Sequence, residues 1–154
     1  MPTRVLFVCL GNICRSPTAH GMLEFLVVEA GLTDRIEVDS AGTGSWHIGD
    51  PPDERSQAAA KRRGLDLSRQ RARQVIVADF EAFDFVIAMD ENNLADLEAM
   101  CPSEYRERLG LLMDYAPESG VRAVPDPYYG GGNGFERVLD LVESACKAFL
   151  KELR

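Results

Sequence analysis

An α/β domain built on a parallel, doubly wound sheet is the fold this sequence predicts, and three features predict it. Residues 5–8 form a short β-branched and aromatic run without polar alternation, the mark of a strand buried on both faces. Strand-like and helix-like segments then alternate along the chain, as they do where helical crossovers join parallel strands. No repeat, low-complexity tract or linker divides the 154 residues, so residues 1–154 read as one domain around one core.

The elements follow in order. After the opening strand comes Cys9-Leu10-Gly11-Asn12-Ile13-Cys14-Arg15-Ser16, a loop that leads into a helix. Ser16 reads as the N-cap, with Pro17 in the favoured first position. Met22, Leu23, Leu26, Val27 and Ala30 recur at helical spacing until Gly31 stops the segment. Residues 36–39 form a second strand, and residues 41–52 a Gly-, Ser- and Pro-rich loop holding the one tryptophan, Trp46. Residues 53–63 are helical up to Gly64, residues 83–88 are a third strand, and residues 91–100 are a helix. Residues 109–113 make a fourth strand. A turn-rich stretch then carries Pro125-Asp126-Pro127-Tyr128-Tyr129 and three consecutive glycines. The last helix, residues 135–153, places Phe135, Val138, Leu139, Val142, Ala145, Cys146, Phe149 and Leu150 on one stripe.

Composition removes several classes of function. The net charge of -8, from 17 basic and 25 acidic side chains, has the wrong sign for a nucleic-acid binder. Any anion site must therefore be local, built from oriented N–H groups and one or two cations. His20 and His47 lie far apart and no Cys-x-x-Cys occurs, so neither a metal site nor a cofactor is expected. The apolar run before Gly11 is too short for a signal peptide, and nothing approaches the length of a membrane span. Four cysteines without framework spacing point to a reduced, cytoplasmic protein whose thiols are more reactive than structural.

The loop carries the chemistry. A segment curling from strand end to helix start turns its amides inward, and the helix dipole adds positive charge at the same point. Gly11 and Asn12 tolerate the positive φ such a curl needs. Arg15 supplies a planar fork for two phosphoryl oxygens, and this field favours the thiolate at Cys9. A Cys-x5-Arg spacing alone also fits a core cysteine and a surface cation; the strand before it and the helix after it make the difference. Thiolate attack on phosphorus would give a phosphocysteine, and the leaving oxygen would need an acid. Asp126, held between two prolines and beside two tyrosines, is the candidate.

Taken together, the loop from Cys9 to Pro17, Asp39-Ser40-Ala41-Gly42-Thr43, Ala88-Met89-Asp90, Asp126-Pro127-Tyr128-Tyr129 and the closing helix resemble the low-molecular-weight protein tyrosine phosphatases over essentially the whole chain. The resemblance implies a four-stranded parallel sheet with helices on both faces and a site at the strand ends. It implies Cys9 as nucleophile, Arg15 as phosphate clamp and Asp126 as acid and then base. Leu10, Gly11, Asn12, Ile13, Cys14 and Ser16 complete the phosphate loop, with Asn12, Ser16 and Ser40 bracing it. Trp46, Tyr128 and Tyr129 match the aromatic rim that favours a phosphotyrosine ring. The implied partners are tyrosine-phosphorylated proteins, with a cognate tyrosine kinase acting on Tyr128 or Tyr129 as a further one. In relatives with a second loop cysteine, oxidation can pair it with the nucleophile, a role that falls here to Cys14. One departure stands out: many relatives carry a histidine shortly before the segment matching Arg71-Ala72-Arg73-Gln74, where it joins the bracing network, and this chain has Gln70 there. No histidine role is therefore carried over, and His20 and His47 read as a helix-surface and a loop residue.

Three alternatives share the loop. Arsenate reductases of similar fold need relay cysteines after the third strand, and residues 90–99 contain none. Protein arginine phosphatases tend to carry threonine where this chain has Ile13. A silent phosphate-binding redox sensor would have no need of both Cys9 and Asp126.

Overall fold

Side chains of β1 (Thr3–Cys9) alternate between two layers, and both layers are dry. Val5, Phe7 and Cys9 enter one hydrophobic cluster while Leu6 and Val8 enter another. That two-sided burial is why the run shows no polar alternation. In the computed structural model, which describes residues 1–128 and 133–154, β1 lies between β2 (Ile36–Gly42) and β3 (Phe85–Ala88). The short β4 (Leu109–Leu111) pairs with the outer edge of β3. Every pairing is parallel, in the order β2-β1-β3-β4.

Helices cover both faces of the sheet. α1 (Arg15–Glu29), α2 (Glu54–Lys61) and α5 (Gly134–Leu153) bury their apolar residues with Val5 and Phe7. α3 (Ala78–Ala82) and α4 (Glu91–Met100) pack with Leu6, Val8 and Val86 on the opposite side. The doubly wound fold expected from the sequence is thus the fold observed. Phe149 of α5 anchors the first layer, with Tyr115, Phe85 and Phe7 around it at ring separations of 4.7, 5.4 and 6.3 Å. The two wider contacts are edge-on, the arrangement the ring quadrupoles favour.

Some boundaries move for physical reasons. Phe83 does not begin the third strand; it closes α3 and sinks into the second cluster. Asp84 then ties the strand to β1 by accepting the Arg4 N–H through Oδ2 at 2.9 Å. The fourth strand stops at Leu111, because residues from Leu112 to Tyr115 coil into a 3-10 turn that turns Leu112 and Met113 toward α5. Ser16 is not an N-cap. The helix begins at Arg15, Cys14 holds the capping position without a side-chain bond, and Pro17 sits third.

The crossing from β1 out to β2 and back past β1 to β3 makes a switch point at the C-terminal ends of β1 and β3. Ligands of open parallel sheets bind in the crevice at such a point. The loop after β1 occupies it.

Candidate active site

Four outward carbonyls fix the loop, and their partners explain its shape. Cys9 and Leu10 carbonyls accept from the Thr43 and Gly44 amides, both at 2.9 Å, and the Ile13 carbonyl accepts from Asp53 N–H at 2.8 Å. The Cys14 carbonyl accepts from the Thr18 hydroxyl at 2.7 Å. With these carbonyls engaged outside the loop, the Asn12 N–H is directed at the Cys9 sulfur. Asn12 makes the bend at φ 58°, the one positive-φ residue other than glycine among the described residues. Gly42 lets β2 approach closely, since a Cβ there would stand 2.8 Å from the Leu10 carbonyl oxygen.

Cys9 lies at the base of the hollow. Its Sγ accepts from the Asn12 backbone N–H at 3.3 Å and lies 3.0 Å from Ser16 Oγ. Asn12 is in turn locked by its amide, whose Nδ2 donates to Ser16 Oγ at 2.8 Å and Ser40 Oγ at 3.1 Å. Its Oδ1 accepts from Arg73 N–H at 3.1 Å. The Arg73 guanidinium bridges Asp39 and Asp79 and so holds residues 72–75 against the end of β2. Hydrogen bonds thus join Asn12, Ser16 and Ser40 behind the loop, and the Ser16 hydroxyl meets the Cys9 sulfur instead of the helix end.

Arg15 is 4% exposed, which requires partners for its charge. Its Nη1 donates to Asp90 Oδ2 at 2.5 Å and to the Val124 carbonyl at 3.1 Å, and its Nη2 lies 3.7 Å from Asp126 Oδ2. Asp90 stands where β3 ends and α4 begins. One of its oxygens caps α4 by accepting from Asn93 N–H at 2.7 Å, and the other grips Arg15. Sequence reasoning missed this second task; an Asp between a strand and a helix signals a cap, and nothing local signals the guanidinium. Asp126 is stiffened by the Tyr128 N–H, which donates to Oδ1 at 3.0 Å.

Cys9, Leu10, Gly11, Ile13, Cys14, Arg15, Trp46, His47, Asp126 and Tyr128 line one cavity of about 390 Å³. Every sequence candidate is therefore in its wall or directly behind it, except Tyr129, which lies outside the described residues. Trp46 is 71% exposed at the mouth, packed over Gly44. His47 joins the wall with Nδ1 3.2 Å from Asp50 Oδ2, a placement the loop sequence did not disclose. The reading of His20 as a surface residue is overturned: its Nδ1 lies 3.1 Å from Ser40 Oγ. A larger groove of about 740 Å³ lies along α1 and β2, lined by residues such as Phe25, Glu37 and Asp66, and it contains no cysteine.

The two loop cysteines differ. Burial pushes the Cys14 thiol up to about 12, against a smaller opposing effect of a Ser56 hydrogen bond, so it stays protonated near neutrality. The Cys9 sulfur accepts from the Asn12 N–H and shares a hydrogen bond with the Ser16 hydroxyl. All four cysteines are free thiols, no group of His, Cys, Asp and Glu able to hold a metal occurs among the described residues, and no described helix is long and apolar enough to cross a membrane.

The chain is similar over nearly its whole length to proteins of one family. A family model described as low molecular weight phosphotyrosine protein phosphatase matches residues 4–154. A Bacillus subtilis low molecular weight protein-tyrosine-phosphatase is 43% identical over 150 residues, covering 97% of this chain and 95% of its own. The human low molecular weight phosphotyrosine protein phosphatase is 41% identical, covering 96% and 94%. A crystal structure of protein tyrosine phosphatase from Entamoeba histolytica superposes with a TM-score of 0.95 at 40% identity, covering 98% of this chain and 96% of that one. A structure described as Drosophila arginine phosphatase superposes with a TM-score of 0.90 at 37% identity, covering 96% of each chain.

Proposed function

The chain belongs to the low molecular weight phosphotyrosine protein phosphatase family, a family of phosphoric monoester hydrolases, and on that premise we propose that it hydrolyses protein phosphotyrosine through a phosphocysteine on Cys9. The observation that carries this is the convergence on one cavity of a cysteine whose sulfur is hydrogen-bonded to the Asn12 N–H and the Ser16 hydroxyl, a buried guanidinium and a carboxylate.

A phosphoryl dianion entering the cavity meets the inward amides and replaces Asp126 at the free side of Arg15. Asp90 keeps the guanidinium turned toward the loop meanwhile. The Cys9 thiolate attacks phosphorus; the S–P bond forms as the bond to the phenolic oxygen breaks. Asp126 gives its proton to that oxygen, so tyrosine leaves neutral. In the second step the Asp126 carboxylate takes a proton from water as the water oxygen bonds phosphorus. The S–P bond then breaks, and inorganic phosphate and the Cys9 thiolate are regenerated. Amides and guanidinium serve both steps by holding the charge on the equatorial oxygens.

Leu10, Ile13, Trp46 and Tyr128 give the entrance apolar and aromatic walls suited to a phenyl ring. Substrates are then tyrosine-phosphorylated proteins, and a tyrosine kinase acting on Tyr128 or Tyr129 would be a natural regulator. Free thiols at all four cysteines fit a reducing, cytoplasmic setting. A Cys9 oxidised to the sulfenic acid would condense with Cys14, giving a disulfide that thiols reverse. The likeness to an arginine phosphatase structure favours a second reading, phosphoarginine hydrolysis by the same loop. Rates on matched phosphotyrosine, phosphoarginine and phosphoserine peptides separate the two. The highest kcat/KM should fall on phosphotyrosine, with none for Cys9→Ser; a preference for phosphoarginine would replace the substrate assignment.

A further inference from the structure

His20 lies on α1, five residues beyond Arg15, with its side chain only 12% exposed. Its Nδ1 is 3.1 Å from Ser40 Oγ and its Nε2 is 3.3 Å from Glu24 Oε2. From Ser40 the bonds run on without a gap to Asn12, from Asn12 to Ser16, and from Ser16 to the Cys9 sulfur. We propose that His20 is a positioning residue for phosphoryl transfer, acting on Cys9 through Ser40, Asn12 and Ser16. The proposal rests on Cys9 being the nucleophile.

Counting donors gives the chain its direction. The Asn12 amide has two N–H groups, and each serine oxygen takes one. Ser40 therefore offers a lone pair to Asn12 and must send its own proton elsewhere. His20 Nδ1 receives it when the ring carries its proton on Nε2, facing the Glu24 carboxylate. Every donor then meets an acceptor, and the Ser16 proton is left for the sulfur at 3.0 Å, with the Ala41 carbonyl a poorer choice at 3.4 Å. Without an acceptor at the His20 position the Ser40 hydroxyl is free to turn toward Asn12. The amide would then lose one of the two bonds that aim Ser16.

Two amide variants separate this from simple packing. Asn in place of His20 sets an amide near the Nδ1 position, within reach of Ser40; Gln sets one near Nε2, within reach of Glu24. The full-length chain carrying His20→Asn, His20→Gln or His20→Leu is assayed for kcat and KM on para-nitrophenyl phosphate. The rate of Cys9 carboxymethylation by iodoacetate at mildly acidic pH is measured by mass spectrometry alongside. His20→Asn should stay within about twofold of the parent in both assays. His20→Gln and His20→Leu should lose about fivefold in kcat at unchanged KM, the worth of one neutral hydrogen bond, and alkylate correspondingly more slowly. Gln or Leu matching the parent, or Asn falling as far as Leu, would overturn the proposal. Alkylation reads the relay without turnover. An Asn–Gln split there in a chain inactive on aryl phosphates would uphold the relay and refute the reaction, and a flat alkylation rate refutes the relay at any activity.

Discussion

Replacing Asn12 by alanine removes three things at once, and the structure sets the size of each. The side chain makes three hydrogen bonds, buried ones to Ser16 and Ser40 and a partly buried one from the Arg73 N–H, each contributing about 1 kcal/mol net. The backbone at φ 58° costs alanine roughly 1 kcal/mol more than it costs asparagine. Asn12→Ala should therefore lose about 4 kcal/mol, or roughly 8–16 °C in Tm for a chain of this length. Asn12→Gly loses the same three bonds but relieves the backbone, so it should be milder by up to about 1 kcal/mol. Asn12→Asp keeps the acceptor for Arg73 but turns an anionic oxygen toward Ser16 and Cys9, and should have the lowest kcat of the three. Urea titrations followed by fluorescence and by far-UV circular dichroism supply the stabilities, and para-nitrophenyl phosphate supplies kcat. An alanine variant within about 1 kcal/mol of the parent and fully active would refute the reasoning that this side chain holds the loop.

Asp126→Ala should slow aryl phosphates in proportion to the basicity of the leaving phenolate, sparing activated esters most; an equal loss across a leaving-group series would remove Asp126 from the acid role. Asp90→Asn keeps an oxygen to cap α4 but presents an amide to the Arg15 guanidinium, and should cut kcat/KM by roughly 10- to 100-fold with little change in Tm. An unchanged kcat/KM would show that Val124 and the packing hold Arg15 unaided. Cys14 makes stability fall in alkali. Its thiol is raised to about 12 in the folded chain from an ordinary value of 9.0, so its contribution is whole below about 9 and is lost as pH rises toward 12. Between pH 8 and 10 Cys14→Ala should lose about 1 kcal/mol less stability than the parent, as read from urea midpoints; equal losses would mean that Cys14 ionises freely in the folded chain.

How far the sequence could be read depends on whether a residue's partner is local. β1 was legible because burial on both sheet faces writes itself into consecutive residues, and α5 because its stripe repeats at helical spacing. Cys9 and Arg15 were legible because one loop holds both. Ser16 was misread as a cap because a serine before proline fits that pattern, whereas its true partner, the Cys9 sulfur, is fixed by the curl of the loop. Asp90 and His20 were missed for a related reason: their partners are 75 and 20 residues away in sequence, and only the parallel sheet brings them together. The fourth strand was overextended because an apolar run looks alike whether it pairs in a sheet or coils into a turn that fills a core.

Trapping the covalent intermediate tests the central claim most directly. Asp126→Ala lacks the base for the second step, so an activated aryl phosphate should load the enzyme faster than water unloads it. Acid quench within the first turnover, followed by peptide mass spectrometry, should find one phosphoryl group on Cys9 and a matching burst of phenol. A phenol release with no phosphoryl group on Cys9, or with the group on another side chain, would contradict the account.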